Sequence, residues 1–481
     1  MRPQGIVAPK VNRCMGGHHE AILLQDQGFC RRNDDQVTIN WETGGSMNRY
    51  PGFFKLICIG LALFNLTLGV QTGWCDNPDI TQAGNILQFV LPGLALGSTF
   101  FAGNPEGGLW DREGTKQAAY SMATSAAFVI SGKEIARKLR PDGSDRNSFP
   151  SGHTAAAFSG ASFLGTRYGM AFGVPAYAAA ALVGYSRFQA DQHYADDVLA
   201  GASIAMLSNW AWVTPMHDRF TLSPIAVEGG AGVQVAFTDA KPYAKTSTSA
   251  ASIGFPNTRF SFQFGPSFVT ENEIGGQRST DFDLTELEDN DNPLTTAAVR
   301  LDHHVNETHE IGLFIWPMEA KDSGNLSHPV LFQGVSFPAN TRILSAWRLY
   351  DVRARYRYHF FPRDWFVLAG GGGVMLQHHI VRLETEDLKQ KAEEDDLSAV
   401  PFLHIQTGYR FNEHIGFYIE EDGGWLSNQW FSSSTAYLQY NRGTHWDIRL
   451  GYQYTIRDID ANQVDNRVVQ HQPYLVIGYR W

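Results

Sequence analysis

KEIARKLRP (133–141), PSGH (150–153) and SRFQADQHYADD (186–197) are the stretches that decide how the first half of this chain is read. Lys133 and Arg140 in the first and Arg187 in the third supply three permanent positive charges. Arginine forks match the oxygens of a phosphate two at a time. Ser151 and Gly152 stand just before an Ala-rich helical stretch that begins near His153. A small-residue turn at a helix N-terminus aims backbone N–H groups at an anion. His193 and Asp197 are four residues apart, so on a helix they share a face. The carboxylate can then hold one imidazole nitrogen and leave the other as nucleophile. Asp196 also lies within a helical turn of His193. His153, from another segment, can protonate a leaving oxygen.

The three clusters fill, in order, the pattern K-x6-RP, PSGH and SR-x5-H-x3-D. In this the chain resembles the type 2 phosphatidic acid phosphatases, a superfamily shared with bacterial acid phosphatases and vanadium haloperoxidases. The resemblance covers roughly residues 80–215, under a third of the chain. It implies an all-helical bundle, a phosphohistidine intermediate and, in the phosphatase branch, neither metal nor other cofactor. By position it makes His193 the nucleophile, Asp197 its orienting carboxylate and His153 the general acid. It gives Lys133, Arg140, Ser151, Gly152 and Arg187 to the phosphate. The spacing that chooses Asp197 over Asp196 is also the family's. Its haloperoxidase branch supplies a rival reading, with vanadate bound by the same residues and ligated by His193.

A chain of 481 residues has room for two or three domains. Its net charge of −11 argues against general nucleic-acid binding. The four cysteines, Cys14, Cys30, Cys58 and Cys75, all precede the charged clusters, so no disulfide framework staples those clusters or the C-terminal half. Residues 1–46 lack periodicity and read as a non-native or disordered extension. From Met47 the chain has Arg49 and Lys55 and then an apolar run from Leu56 to Val70. That is the plan of a secretory signal peptide over 47–75, too short for a spanning helix of roughly 20 apolar residues.

Residues 76–214 read as the helical domain. Helices are expected over 80–102, interrupted at Pro92-Gly93, and over 114–131, leading into Lys133 and on to Arg140-Pro141. Three more are expected at 153–168, 174–187 and 193–213, with a polar loop from Asp142 to Phe149. Glycine, proline or charge breaks most of the apolar runs, which favours a water-soluble bundle.

Beyond a linker at 215–258 the period changes from 3.6 to 2. In 350–360, Tyr350, Val352, Ala354, Tyr356, Tyr358 and Phe360 alternate with Asp351, Arg353, Arg355, Arg357 and His359. One face carries arginines in a row and the other ends in aromatics. This suits a polar lumen, an apolar wall and an aromatic girdle. Ten strands are expected, near 259–270, 296–305, 309–318, 343–360, 364–382, 397–411, 414–425, 433–441, 445–456 and 471–481. The links after the even-numbered strands are tight, and those after the first, third and fifth are long and polar. The terminal Tyr479-Arg480-Trp481 resembles the aromatic C-terminal signal of bacterial outer-membrane barrels. Asp289-Asn290-Asp291 and Glu393 to Asp396 read as solvated loops, and His303-His304 and His378-His379 as strand ends. Gly370 to Gly373 read as a close approach of barrel walls.

The expected protein is therefore a phosphoric monoester hydrolase, a helical phosphatase domain followed by a transmembrane antiparallel β-barrel at 259–481. Its partners are a phosphorylated small molecule or lipid and outer-membrane lipid, with no nucleic acid. The barrel would sit in the outer membrane, and the enzyme would hang beneath it in the periplasm. Apart from the haloperoxidase, the rival is a pore or adhesin with an inactive helical domain.

Overall fold

A computed structural model describes residues 78–103, 108–216, 258–287, 293–361, 364–461 and 463–481. It also describes five short strand segments, at 21–24, 28–33, 36–40, 220–227 and 230–237. The expected leader at 47–75, most of the linker and Asp289-Asn290-Asp291 lie outside the described residues.

Five helices form the first domain: α1 (Pro78–Ser98), α2 (Arg112–Ala136), α3 (Gly152–Tyr168), α4 (Met170–Gln189) and α5 (Ala195–Trp212). Asp111 starts α2 by accepting the Gly114 N–H at 2.8 Å. The same carboxylate takes both Arg167 Nε at 2.8 Å and Nη2 at 2.7 Å, tying the base of α2 to the end of α3. α2 ends at Arg137, whose φ of 45° is left-handed. Contrary to expectation, Pro92 does not interrupt α1. There α3 crosses at Gly160, where a Cβ would lie 2.4 Å from the Leu91 carbonyl carbon. The tight crossing holds the helix through its proline. Among the described residues, no helix is long and apolar enough to cross a membrane.

The C-terminal half is a closed antiparallel barrel of ten strands. They are β1 (Thr258–Gly275), β2 (Leu294–His304), β3 (His309–Asn325), β4 (Arg342–His359), β5 (Phe366–Thr385), β6 (Lys391–Arg410), β7 (Ile415–Leu426), β8 (Gln429–Arg442), β9 (Trp446–Ala461) and β10 (Val464–Arg480). Each pairs with the next, and β10 returns to β1 with Tyr479 opposite Phe260, leaving no open edge. Short turns join the even-numbered strands to their successors, as expected. Most strands run further than expected at the opposite rim. Glu393 to Asp396 are not a loop but part of β6, opposite Arg382 to His379. The fifth link is accordingly short. His378-His379 sit within β5 rather than at its end. At Gly371 and Gly373 a Cβ would lie 2.0 and 1.9 Å from the carbonyl oxygens of Tyr356 and Ala354 on β4.

The lumen is filled by paired charges. Arg300 on β2 reaches Glu420 on β7 at 2.9 Å. Arg457 on β9 reaches Asp351 on β4 at 2.6 Å. Both pairs join strands that are not neighbours, so they cross the lumen.

The outer wall has two halves. On β5 to β9 it exposes Leu376, Leu403, Ile405, Phe417, Ile419, Leu438, Leu450 and Tyr452. On β1 to β4 the outward Phe260, Phe262, Val299, Leu301, Ile315 and Val352 are buried in one apolar cluster with Val198, Ala202, Ala205 and Met206 of α5. Trp210 of α5 stacks on Tyr479 at 5.3 Å and meets Trp481 at 5.1 Å. The helical domain thus lies beside the barrel wall, where a position beneath it was expected. Tyr479 and Trp481, expected as a C-terminal barrel signal, also dock α5.

Candidate active site

The three clusters meet where the C-terminus of α2, the N-terminus of α3, the end of α4 and the start of α5 converge. Small residues permit it. A Cβ on Gly201 of α5 would lie 2.4 Å from the Ser151 carbonyl oxygen. One on Gly84 of α1 would lie 1.9 Å from Ser186 Oγ and 3.0 Å from Arg187 Nη2. The Ser151 N–H donates to the Asp197 carbonyl at 2.9 Å, which ties the α3 turn directly to α5.

His193 is 2 % exposed. Its Nδ1 lies 2.7 Å from the Ser148 carbonyl oxygen. A carbonyl only accepts, so Nδ1 carries the hydrogen and Nε2 keeps its lone pair. Asp197 Oδ2 is 3.8 Å from Nδ1, beyond hydrogen-bonding distance. It acts one step back, accepting the Ser148 hydroxyl at 2.5 Å and the Tyr194 N–H at 2.9 Å. The direct orienting group is therefore a backbone carbonyl that the motif does not specify. Asp196 points elsewhere and binds Lys138 with both oxygens at 2.7 Å. Lys138 also reaches Asp197 Oδ1 at 3.0 Å.

These contacts set the charges. Burial pushes the Asp197 carboxyl up, but Lys138, His193 and Ser148 together outweigh it and hold it well below the usual range. Asp196 is pushed up to about 8 by burial, against the pull of Lys138. Burial lowers His193, against Asp197, and Lys133 and Arg140 lower it further. His153 is lowered to about 4, first by burial and then by Arg187, His193, Arg140 and Lys133. Arg187, His193, Arg140 and Lys133 are thus all close enough to His153 to act on its charge. Burial and Arg140 likewise lower both Lys133 and Arg187.

Each cation is held in place by protein. Lys133 Nζ donates to the Asn147 carbonyl. Arg140 Nε takes Asp145 Oδ1 at 2.8 Å. Arg187 donates to Gln192 Oε1 and the Thr81 carbonyl, both at 3.0 Å. Ser151 is the N-cap of α3, its Oγ 3.4 Å from Thr154 N and 2.9 Å from Thr154 Oγ1. With its N–H also engaged, Ser151 shapes the turn, while Gly152 and His153 supply the first-turn N–H groups that a helix does not use internally. An apolar groove of about 230 Å³, lined by Pro92, Met122, Ala126, Val129, Ile130 and Ala155, runs up to Gly152.

The family model described as PAP2 superfamily matches residues 109–221. Residues 109–221 form a PAP2 superfamily domain. Part of the chain is 41% identical over 92 residues to a lipid A 1-phosphatase of Porphyromonas gingivalis. That match covers 18% of this chain and 21% of the relative's length. The crystal structure of Aquifex aeolicus LpxE is 25% identical, covering 31% of this chain and 92% of that one, with a TM-score of 0.25. The outer membrane protein OprG from Pseudomonas aeruginosa is 11% identical, covering 47% of this chain and 99% of that one, with a TM-score of 0.22. Within the PAP2 domain, Ser148 and Lys138 are the neighbours of His193 and Asp197 that motif reading missed. Lys138 had a weak signal, one of two basic residues, with Arg137, between Lys133 and Arg140; a backbone carbonyl had none.

Proposed function

We propose that this protein is a phosphatase that hydrolyses phosphomonoesters of lipids through a phosphohistidine. In this reading it is carried in the outer membrane by its barrel, with the PAP2 domain reached through the periplasm. The observation that carries the reading is His193, its Nδ1 committed to the Ser148 carbonyl and its Nε2 left nucleophilic beside three held cations. Nε2 attacks phosphorus as the bond to the leaving alkoxide breaks, and His153 protonates that oxygen. Water then attacks the phosphohistidine, giving its proton to His153, and phosphate leaves. Lys133, Arg140, Arg187 and the first turn of α3 offset charge on the equatorial oxygens. Burial and these cations hold His153 down at about 4. A phosphate dianion bound among them offsets the cations, so the substrate itself helps charge the general acid.

Three features favour a lipid: the apolar groove ending at Gly152, the exposed apolar wall of β5 to β9, and the named activity of the Porphyromonas relative. The test is phosphate release from lipid A phosphates, phosphatidic acid, polyprenyl phosphate and p-nitrophenyl phosphate. Turnover is expected to vanish in His193→Ala, and turnover that survives removes the nucleophile. Halide oxidation on adding vanadate would instead move the protein to the haloperoxidase branch.

A further inference from the structure

We infer that the barrel wall positions the active site: Glu319 and Lys321, on the outward face of β3, hold the helix start after His193 and the loops that follow Arg140 and Arg187. The inference rests on the phosphatase reading above. Residues of odd number on β3 point outward, since Ile315 faces the helical core while Glu310 pairs with Arg357 in the lumen. Charged residues on the lipid-facing wall of a membrane barrel destabilise it. Here the outward face carries Glu319, Lys321 and, opposite Glu319 on β4, Arg348. None faces lipid, because the PAP2 domain covers them.

Each contact goes to a segment of the catalytic motifs. Glu319 Oε1 accepts the N–H of Ala195, the first residue of α5, at 3.1 Å. Tyr350 Oη donates to the same oxygen at 2.9 Å, and Arg348 Nε lies 3.3 Å from Oε2. A carboxylate at a helix N-terminus meets the positive end of its dipole. Ala195 lies between His193 and Asp197, so the strand fixes the turn that sets the nucleophile. Lys321 Nζ bridges the Pro141 carbonyl and Asp191 Oδ1, both at 3.2 Å. Pro141 follows Arg140, and Asp191, held at a left-handed φ of 50°, sits between Arg187 and His193. Two side chains on one strand therefore clamp two different parts of the site. Glu319 acts on the nucleophile and Lys321 on the phosphate cradle.

The experiment uses the full-length protein in detergent micelles with p-nitrophenyl phosphate. Loss of turnover in His193→Ala tests the phosphatase reading without reference to the barrel. Given that loss, Glu319→Ala is expected to lower kcat on the order of 10-fold or more with KM little changed, since small misplacements of reacting groups cost that much. Glu319→Gln keeps an acceptor oxygen for the Ala195 N–H and is expected to restore most of kcat. Lys321→Ala is expected to raise KM and the orthovanadate inhibition constant several-fold while sparing kcat. Wild-type kinetics in both alanine variants would overturn the inference. So would losses in kcat that merely follow a falling folded fraction, with no rescue by Glu319→Gln.

Discussion

His193 and Ser148 meet through the ring Nδ1 and the serine's backbone carbonyl, at 2.7 Å, while the serine hydroxyl reaches Asp197 at 2.5 Å. The carboxylate thus orients the His193 ring by holding the loop whose carbonyl accepts from it. Ser148→Ala keeps the carbonyl but removes its anchor and leaves Asp197 short of a buried partner. Loss of a hydrogen bond to a buried charge costs about 1–3 kcal/mol. The variant is expected to unfold earlier by that amount in denaturant titration. Its kcat on p-nitrophenyl phosphate is expected to fall about tenfold, the effect of a loosened general base or nucleophile. Unchanged kcat would return the orienting role to Asp197 alone.

The histidines make the PAP2 domain sensitive to acid. His153 titrates at about 4 in the folded protein against 6.5 for an ordinary histidine. Between those values the unfolded chain binds more protons than the folded one, so stability rises with pH across the window. It is lost as pH falls from 6.5 toward 4, and His193, also lowered, adds to the loss. Thermal melts followed by helical circular dichroism across and above that window are expected to show this slope. His153→Gln is expected to flatten it. Orthovanadate, by offsetting the cations, is expected to raise the His153 pKa and take up a proton on binding. A slope unchanged in His153→Gln would mean other groups carry it.

Charge clusters and periodicity made much of this legible from sequence. The positions of His153, His193, Lys133, Arg140 and Arg187 are set by spacing, and ten strands by alternation along segments such as 350–360. The judgements that failed depend on unseen neighbours. Glu393 to Asp396 look solvated, yet they lie in β6 opposite β5. Glu319 and Lys321 fall past Met318, where apolar alternation stops, and so resemble a loop. Their charges make sense only once the PAP2 domain covers them. Pro92 looks like a break until Gly160 is seen to press α3 against it.

Gly84 is a second case of close approach. Its missing Cβ would overlap Ser186 Oγ at 1.9 Å and Ser186 Cβ at 2.7 Å. Gly84→Ala must push α1 outward, and α1 carries the Thr81 carbonyl that holds Arg187 Nη2. A loosened guanidinium binds phosphate less well in both ground and transition states. KM for p-nitrophenyl phosphate is expected to rise several-fold with kcat less affected. Wild-type KM would show that Ser186 absorbs the clash.

The apolar groove separates lipid from soluble substrates. Ala126 lines it on α2, seven residues and so about 10 Å along the helix before Lys133. Ala126→Trp fills the groove without touching the phosphate cradle. Turnover of lipid phosphates is expected to fall, each excluded methylene being worth about 0.8 kcal/mol. Hydrolysis of p-nitrophenyl phosphate is expected to stay near wild type. Equal loss on both substrates would show that the groove does not hold acyl chains.

Asp111 and Arg167 test the foundation of the domain rather than its chemistry. The carboxylate caps α2 and pairs with the guanidinium through two bonds, both side chains being buried. Arg167 also donates to the Thr214 carbonyl at 2.9 Å, joining the end of α5 to the base of α2 and α3. Arg167→Met leaves Asp111 charged and buried with only the cap N–H as partner. Breaking one side of a buried pair costs about 3–5 kcal/mol. The helical transition is expected to move down by that amount. Asp111→Asn with Arg167→Met removes the stranded charge and is expected to recover part of the loss. Neither change touches the groups around His193, so molecules that remain folded should keep the wild-type KM. A KM that rises with the loss of stability would mean that the base of the bundle also sets the geometry of the phosphate cradle.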